Sequence, residues 1–342
     1  MTRVLAAGDA FVLPGLLAAA LRERVAGLEI AELALDWPDT PFGPVAEVVE
    51  ASGTEDAIIE ALQGVRVCVT QMAPITARVL ESCPDLEFVA VGRGGPVNVN
   101  LDAATKHGVA VSSAPGRNAT ATAEHTIALM LAAMRRIPQV HGDLAAGTWR
   151  GDYYRYDSVG LELEGRTVGL IGYGAIGNRV ARIANGFGAR VVVHDPYVDP
   201  ALLAGVAEPL GLPELLAQAD VLSLHARLTP DTRGMVGAAQ IAALKPGSVL
   251  VNCARGALVD YDAVCDALDS GHLFAAAFDV YPVEPIPAAS RLLRTDGIVM
   301  TPHLAGASRE TAHNAAAITA AETARFLAGE PLLHCRNPEV FG

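Results

Sequence analysis

Val168-Gly169-Leu170-Ile171-Gly172-Tyr173-Gly174-Ala175-Ile176-Gly177 is an apolar run that breaks into glycines spaced G-x-G-x-x-G and then continues as a helical pattern. A strand, a tight turn and a helix follow from that order. Gly172 permits the turn, Gly174 lets the backbone approach a pyrophosphate, and Gly177 allows the helix to pack closely on the strand. Ala175 and Ile176 open the helix, where free N–H groups and the helix dipole suit an anion. Such a unit belongs in a parallel, doubly wound sheet.

The pattern around it agrees. Downstream, strands read as Thr167–Ile171, Arg190–His194, Val221–His225, Ser248–Asn252, Phe274–Phe278 and Ile298–Thr301, with helices at Ile176–Phe187, Pro213–Gln218 and Asp260–Ser270. Those six strands make one nucleotide-binding domain. Upstream, strands at Arg3–Ala7, Leu28–Leu35, Val65–Val69, Leu86–Val91 and Val109–Ser112 alternate with helices at Gly15–Val25, Glu55–Leu62 and Leu101–His107. A turn at Ser112–Gly116 leads to a long helix, Thr120–Arg136, then to a connection rich in Pro, Gly, Trp and Tyr ending near Asp157. Ser308–Leu327 is helical again.

The second strand ends at His194-Asp195-Pro196-Tyr197. An acid about 20 positions beyond the glycines is where a carboxylate accepts ribose hydroxyls. Asp195 would repel a 2′-phosphate and no Arg follows it at once, so NAD is favoured over NADP.

Composition bounds the rest. With 342 residues, 51% apolar and 18% charged, the chain has about two domains' worth of core and is not disordered. Twenty-five basic against 38 acidic residues leave a net charge of −13, a poor match for nucleic acid or an anionic membrane. No run reaches the ~18–20 apolar residues of a membrane span. The five cysteines (Cys68, Cys83, Cys253, Cys265, Cys335) are odd in number and form no C-x-x-C, which reads as reduced thiols of a cytoplasmic protein. No metal-ligand spacing is present. Lys occurs only at Lys106 and Lys245, so an Arg singles out a site by its position and not by its type.

Three polar residues lie at successive strand ends, where open α/β sheets bind ligands. They are Arg255 in Val251–Gly256, Glu284 in Phe278–Pro285 and His303 in Thr301–Gly306. Hydride exchange at an alcohol or ketone carbon needs a proton donor and acceptor near neutrality, which suits His303. A carboxylate such as Glu284 would raise the imidazole pKa and hold its tautomer. An Arg can fork onto a carboxylate and polarise a carbonyl. Singly, each has a plain alternative: a core histidine, a loop carboxylate, a surface arginine.

With VGLIGYGAIG, ADVLSLHARLTPDTRGMV, VNCARGALVD, AAAFDVYPVEP and TPHLAGAS in this order, the sequence resembles the D-isomer-specific 2-hydroxyacid dehydrogenases, in their D-3-phosphoglycerate-dehydrogenase-like branch. The resemblance spans nearly the whole chain. It implies an α/β fold of two Rossmann-like domains. Residues 1–113 and 303–342 would form a smaller flavodoxin-like substrate domain, and 114–302 the NAD-binding one, hinged where the chain crosses. It implies NAD-dependent interconversion of a 2-hydroxy and a 2-oxo acid, with His303 as acid/base, Glu284 its partner and Arg255 the carboxylate anchor. His225, Ala226, Arg227, Cys253, Ala254, Asp279, Ala305 and Gly306, with Arg255 and His303, would meet the cofactor.

In the same family a loop matching Val91–Asn100 holds the substrate carboxylate on backbone N–H groups, here at Arg93, Gly94 and Gly95. Val97 and Asn100 stand where acids are usual, and Arg227 where Pro is common. Gly116-Arg117-Asn118 and Ala123-Glu124-His125 match the helix-opening signature, His125 and Glu124 reading as structural. Relatives dimerise through the cofactor domain, which the aromatic cluster Trp149, Tyr153, Tyr154 and Tyr156 suits; intrachain packing explains it too.

A non-catalytic NADH sensor or corepressor, and a phosphite dehydrogenase, are the alternatives. Formate oxidation is disfavoured, since formate enzymes carry Gln where Glu284 stands. Glyoxylate, hydroxypyruvate, a phosphorylated hydroxy acid and a sugar acid remain open as substrates. A phosphorylated one would need a second anion site, for which Arg66, Arg78, Arg93, Arg117 and Arg155 are candidates.

Overall fold

The computed structural model describes residues 1–38, 40–41 and 43–342. Its contacts divide the chain into two compact units, 1–118 with 307–342, and 119–306.

The first unit is built on five parallel strands, β1 (Thr2–Gly8), β2 (Leu28–Ala34), β3 (Val67–Thr70), β4 (Phe88–Val91) and β5 (Ala110–Ser113), in the order β2-β1-β3-β4-β5. Helices α1 (Pro14–Arg24), α2 (Glu55–Ala61), α3 (Ala77–Ser82) and α4 (Leu101–Lys106) connect them. Side chains alternate along each strand, so both faces are apolar. Leu5, Cys68, Val89 and Val111 face α2–α4, whereas Val4, Val67, Phe88 and Ala110 face α1 and the C-terminal helix.

The second unit opens with α5 (Ala119–Met134) and α6 (Ile137–Ala145) and then forms a sheet of β6 (Thr167–Ile171), β7 (Arg190–His194), β8 (Glu208–Pro209), β9 (Val221–Leu224), β10 (Ser248–Asn252), β11 (Leu273–Phe278) and β12 (Ile298–Met300). Between strands lie α7 (Ala175–Gly186), α8 (Leu212–Gln218), α9 (Ala238–Ala242) and α10 (Tyr261–Asp269). The order is β12-β11-β10-β9-β6-β7-β8, all parallel. It reverses between β6 and β9, the point at which such sheets bind ligands. Helices α5 and α7 cover one face, and α8, α9 and α10 the other. The chain then returns to the first unit as α11 (Arg309–Ala328).

Three expectations change. The second sheet has a seventh strand, β8, whose two residues include Pro209 and carry no periodicity; Pro is admissible there because the strand is an edge. The aromatic connection contains α6 and a 3₁₀ turn, Gly151–Tyr154. Finally, residues 114–118 fall in the first unit and 303–306 in the second. Ala114 N–H bonds Arg93 O (2.6 Å), while the Leu304 and Ala305 N–H groups bond the Asp279 carboxylate (2.7 Å each). His303 therefore shares a unit with Arg255 and Glu284.

Candidate active site

The glycine turn is built as its spacing demands. Gly172 has φ +97°, a left-handed backbone, and a side chain there would strike the His225–Ala226 peptide. A Cβ on Gly177 would lie 2.3 Å from Gly172 O, so α7 can start against β6 only if that residue is glycine. Around Gly174 the space is open, and with no side chain it caps none of the first N–H groups of α7, including those of Ala175 and Ile176. Asp195 closes the cradle at the end of β7: its carboxylate accepts from Tyr173 N (2.8 Å) and Tyr197 N (3.0 Å). Open backbone, exposed helix N–H groups and a carboxylate at the second strand fit a dinucleotide whose 2′-position carries a hydroxyl.

Beyond β9, His225 pairs with Ser223 Oγ through Nε2 (2.9 Å), and burial pushes its pKa down to about 4, so it stays neutral. Ala226 is half-buried beside Gly172. Arg227 is exposed and its guanidinium makes no ion pair among the described residues.

The three residues of the proposed chemistry come together from three loops. Asn252 Nδ2 donates to Arg255 O (2.9 Å) and bonds Tyr261 OH (3.2 Å), which donates to Val280 O (2.6 Å). Gly256 then seats the Arg255 loop against the Glu284 loop, since a Cβ there would lie 2.0 Å from Tyr281 O. Glu284 accepts from Tyr281 N through Oε1 (2.9 Å) and from His303 Nδ1 through Oε2 (2.7 Å). Burial of the Glu284 carboxyl raises its pKa, but the His303 bond, the Tyr281 N–H and the charges of His303 and Arg255 outweigh it, so the net shift is down. The hydrogen bond to Glu284 pushes His303 up against an opposing desolvation. Its side chain is 51% exposed, with Nε2 left for a ligand. Arg255 is exposed at the same edge, one donor used on Ala254 O (2.6 Å).

His303 has φ +55°, and the residue that holds it there is Asp279. This carboxylate is wholly buried and accepts from Thr301 Oγ1 (2.6 Å), Leu304 N and Ala305 N. His125 backs the same turn, Nε2 to Thr301 Oγ1 at 3.0 Å. Asp279, expected to touch the cofactor, thus spends both oxygens on the His303 turn. Cys253 and Ala305 also face inward: both are buried in the core, and burial lifts the Cys253 thiol to about 12. Ala254 and Gly306 remain partly exposed at the strand ends.

In the first unit, the Arg93 guanidinium bonds Glu50 through O (3.2 Å) and its carboxylate, so its Nη1 and Nη2 are engaged within the chain. The N–H groups of Gly94 and Gly95 have no partner among the described residues. Arg336 steadies this loop, donating to Gly94 O (2.8 Å) and Ser113 Oγ (2.6 Å). Asn100 caps α4 (3.0 Å to Ala103 N), a task an acid would do equally well, and Val97 is exposed. Sequence spacing gave no sign of Arg336, because its partners are more than 220 positions away. Among the described residues no group of three or more His, Cys, Asp or Glu is disposed to hold a metal.

Residues 127–305, over half of the chain, match the family described as D-isomer specific 2-hydroxyacid dehydrogenase, NAD binding domain. The chain belongs to this family. It is 45% identical over 258 residues to the D-3-phosphoglycerate dehydrogenase of Mycobacterium bovis, covering 75% of this chain and 48% of the relative. It is 36% identical over 294 residues to the glyoxylate reductase of Korarchaeum cryptofilum, covering 85% and 88%. A crystal structure of a protein from Thermus thermophilus superposes with a TM-score of 0.79 at 33% identity, over 98% of this chain and 99% of that one. The match spans about half the length of the phosphoglycerate dehydrogenases. The family's cofactor, NAD, is the one that the cradle at Gly172–Gly177 and Asp195 fits.

Proposed function

We propose that the protein is an NAD-dependent dehydrogenase that reversibly interconverts a D-2-hydroxy acid and its 2-oxo acid. The observation that carries this is the His303 Nδ1–Glu284 contact (2.7 Å), which leaves Nε2 to exchange a proton beside Arg255. Bound NAD would accept or supply the hydride. Gly172, Gly174, Gly177 and the first N–H groups of α7 would hold its pyrophosphate, and Asp195 its adenosine ribose. Arg255 pairs with the acid's carboxylate and polarises the 2-oxo group. His303 gives its Nε2 proton to that oxygen in reduction and takes it back in oxidation, Glu284 steadying the imidazolium. The N–H groups of Gly94 and Gly95 offer the first unit's own hydrogen bonds to a carboxylate.

The substrate is a small acid of the glyoxylate, hydroxypyruvate or phosphoglycerate type, and the protein acts in the cytoplasm as a homodimer. Trp149, Tyr154 and Tyr156 are 86–94% exposed and do no packing within the chain, which favours a partner surface in the second unit. Among the described residues no helix is long and apolar enough to cross a membrane. The deciding experiment follows NADH absorbance with a panel of 2-oxo acids, using His303→Ala as control. Turnover lost in the variant supports the reading; tight NADH binding without turnover of any acid by the wild type overturns it.

A further inference from the structure

Within the second unit, helix α5 carries a polar side chain to the carboxyl ends of β11 and β12. His125, near the middle of the helix, has a side chain only 26% exposed and bonds Thr301 Oγ1 through Nε2 (3.0 Å). Thr301 Oγ1 in turn lies 2.6 Å from Asp279 Oδ1. An ionised carboxylate can only accept, so the hydroxyl proton points to Asp279. The Thr301 oxygen then offers His125 lone pairs alone, and that contact requires a proton on Nε2. Both bonds therefore run one way, from His125 to Thr301 and from Thr301 to Asp279.

Asp279 is the centre of this arrangement. It is wholly buried, and it also accepts from Leu304 N and Ala305 N (2.7 Å each). Among the described residues no Lys or Arg lies within ion-pair distance of it; the cation-capable group that does is His125, Nε2 to Oδ1 at 3.7 Å. A buried carboxylate that loses donors is costly. The His125 N–H supports this one twice, through its own dipole and by orienting the Thr301 hydroxyl.

The two N–H groups that Asp279 grips directly follow His303, and Thr301 stands just before it, its O accepting from His303 N (3.0 Å). His303 itself is left-handed, φ +55°. A residue other than glycine keeps that conformation only where its surroundings over-determine it. Here the turn is fixed on both sides, through Asp279 and Thr301, and the far end of that linkage is His125. The turn sets the direction of the imidazole, and so the 2.7 Å contact of Nδ1 with Glu284. Packing alone does not ask for histidine at this place, since the neighbours on the buried face of α5, Thr122, Ala123, Thr126 and Ile127, are small or apolar.

We propose that His125 is a positioning residue of the reaction: its Nε2–H, acting through Thr301 and Asp279, holds the left-handed turn that aims His303 at Glu284. Its role in turnover rests on the dehydrogenase reading, whereas its role in aiming His303 does not.

The test has a spectroscopic and a kinetic arm, both on the full chain, with His125→Leu, His125→Gln and Thr301→Val. In the first, isotope-labelled histidine rings are titrated by NMR, His303 being assigned by its loss in His303→Ala. Glu284 and Asp279 raise the His303 pKa and Arg255 opposes them. His125→Leu and Thr301→Val should each move it down toward the ordinary ~6.5. Because both break one linkage, the double variant should move it no further than the larger single change. His125→Gln, which returns an N–H at similar reach, should restore most of the shift. In the kinetic arm, with NADH and the fastest acid of the panel, kcat of His125→Leu should fall roughly 10- to 100-fold, with KM and NADH affinity changed far less. A folded His125→Leu with the wild-type His303 titration and kcat overturns the proposal, as does a His125→Gln that recovers nothing. Where His125→Leu does not fold, Thr301→Val decides by the same readings. A wild type that turns over no acid sinks the dehydrogenase reading; the titration then stands alone, a lowered His303 pKa in the variants supporting the proposal and an unmoved one overturning it.

Discussion

At the scale of residues, the pairing of His303 with Glu284 decides the pH behaviour. The His303 pKa is raised and that of Glu284 lowered, so the charged pair exists between them. Its stabilisation is complete below the ordinary imidazole value and is lost as pH rises through the elevated His303 value. It is lost again as pH falls through the depressed Glu284 value. Reduction of a 2-oxo acid uses protonated His303, so kcat/KM should hold above about pH 6.5 and then decline. Glu284→Gln should move that alkaline limb to lower pH, and a profile that stays in place would show that the pair does not set it. Asp279→Asn replaces one of the two carboxylate oxygens with an amide NH2, so either the Leu304 or the Ala305 N–H loses its acceptor and faces a donor instead. We expect a loss of about 1–3 kcal/mol in urea unfolding and a fall in kcat, with NADH affinity changed far less.

At the scale of elements, the site depends on close approaches that only glycine allows. Gly256→Ala would force a Cβ into the Tyr281–Pro282 peptide and part the Arg255 and Glu284 loops. A cost of about 1–3 kcal/mol and a large loss of kcat should follow, checked by melting and steady-state kinetics. Gly177→Ala, pressed on Gly172 O, should instead weaken NADH binding measured by fluorescence. These elements also show what the sequence discloses. The strand–glycine–helix phrase, the alternation of faces and the Arg255–Glu284–His303 positions are local or stand at strand ends, so they can be read along the chain. Asp279 could not be assigned its role, because a buried acid that builds a turn looks the same in sequence as one that meets a ligand. Gln71 donates to Asp9 and accepts from Arg117, joining residues 46 to 62 positions apart, and no periodic signal encodes these bonds. Helix α6 is hidden because Pro138 stands in its first turn and Gly147 just beyond its end.

At the scale of the whole molecule, the exposed aromatics of the second unit carry the oligomer prediction. Trp149→Ser with Tyr154→Ser should convert a dimer to a monomer in light scattering; a wild type that is already monomeric would refute the assignment. The five cysteines are free and four of them are buried, so reductant should leave the mass and melting of the native protein unchanged.

The end of the chain has a protective consequence. β5 is an edge strand, and the segment around Cys335 lies along it: Ser113 N–H bonds His334 O (3.2 Å) and Arg336 N–H bonds Val111 O (2.8 Å). The buried Asn337 amide acts as one more peptide unit, accepting from Val111 N (2.8 Å) and donating to Val109 O (2.9 Å). A bare edge of Ala-Val-Ser-Ser, uncharged and without proline, would be a template for a neighbouring chain. Removal of this segment should therefore expose the edge: cleaved at Pro331, the protein should form sheet-rich aggregates on warming before it loses its cofactor cradle.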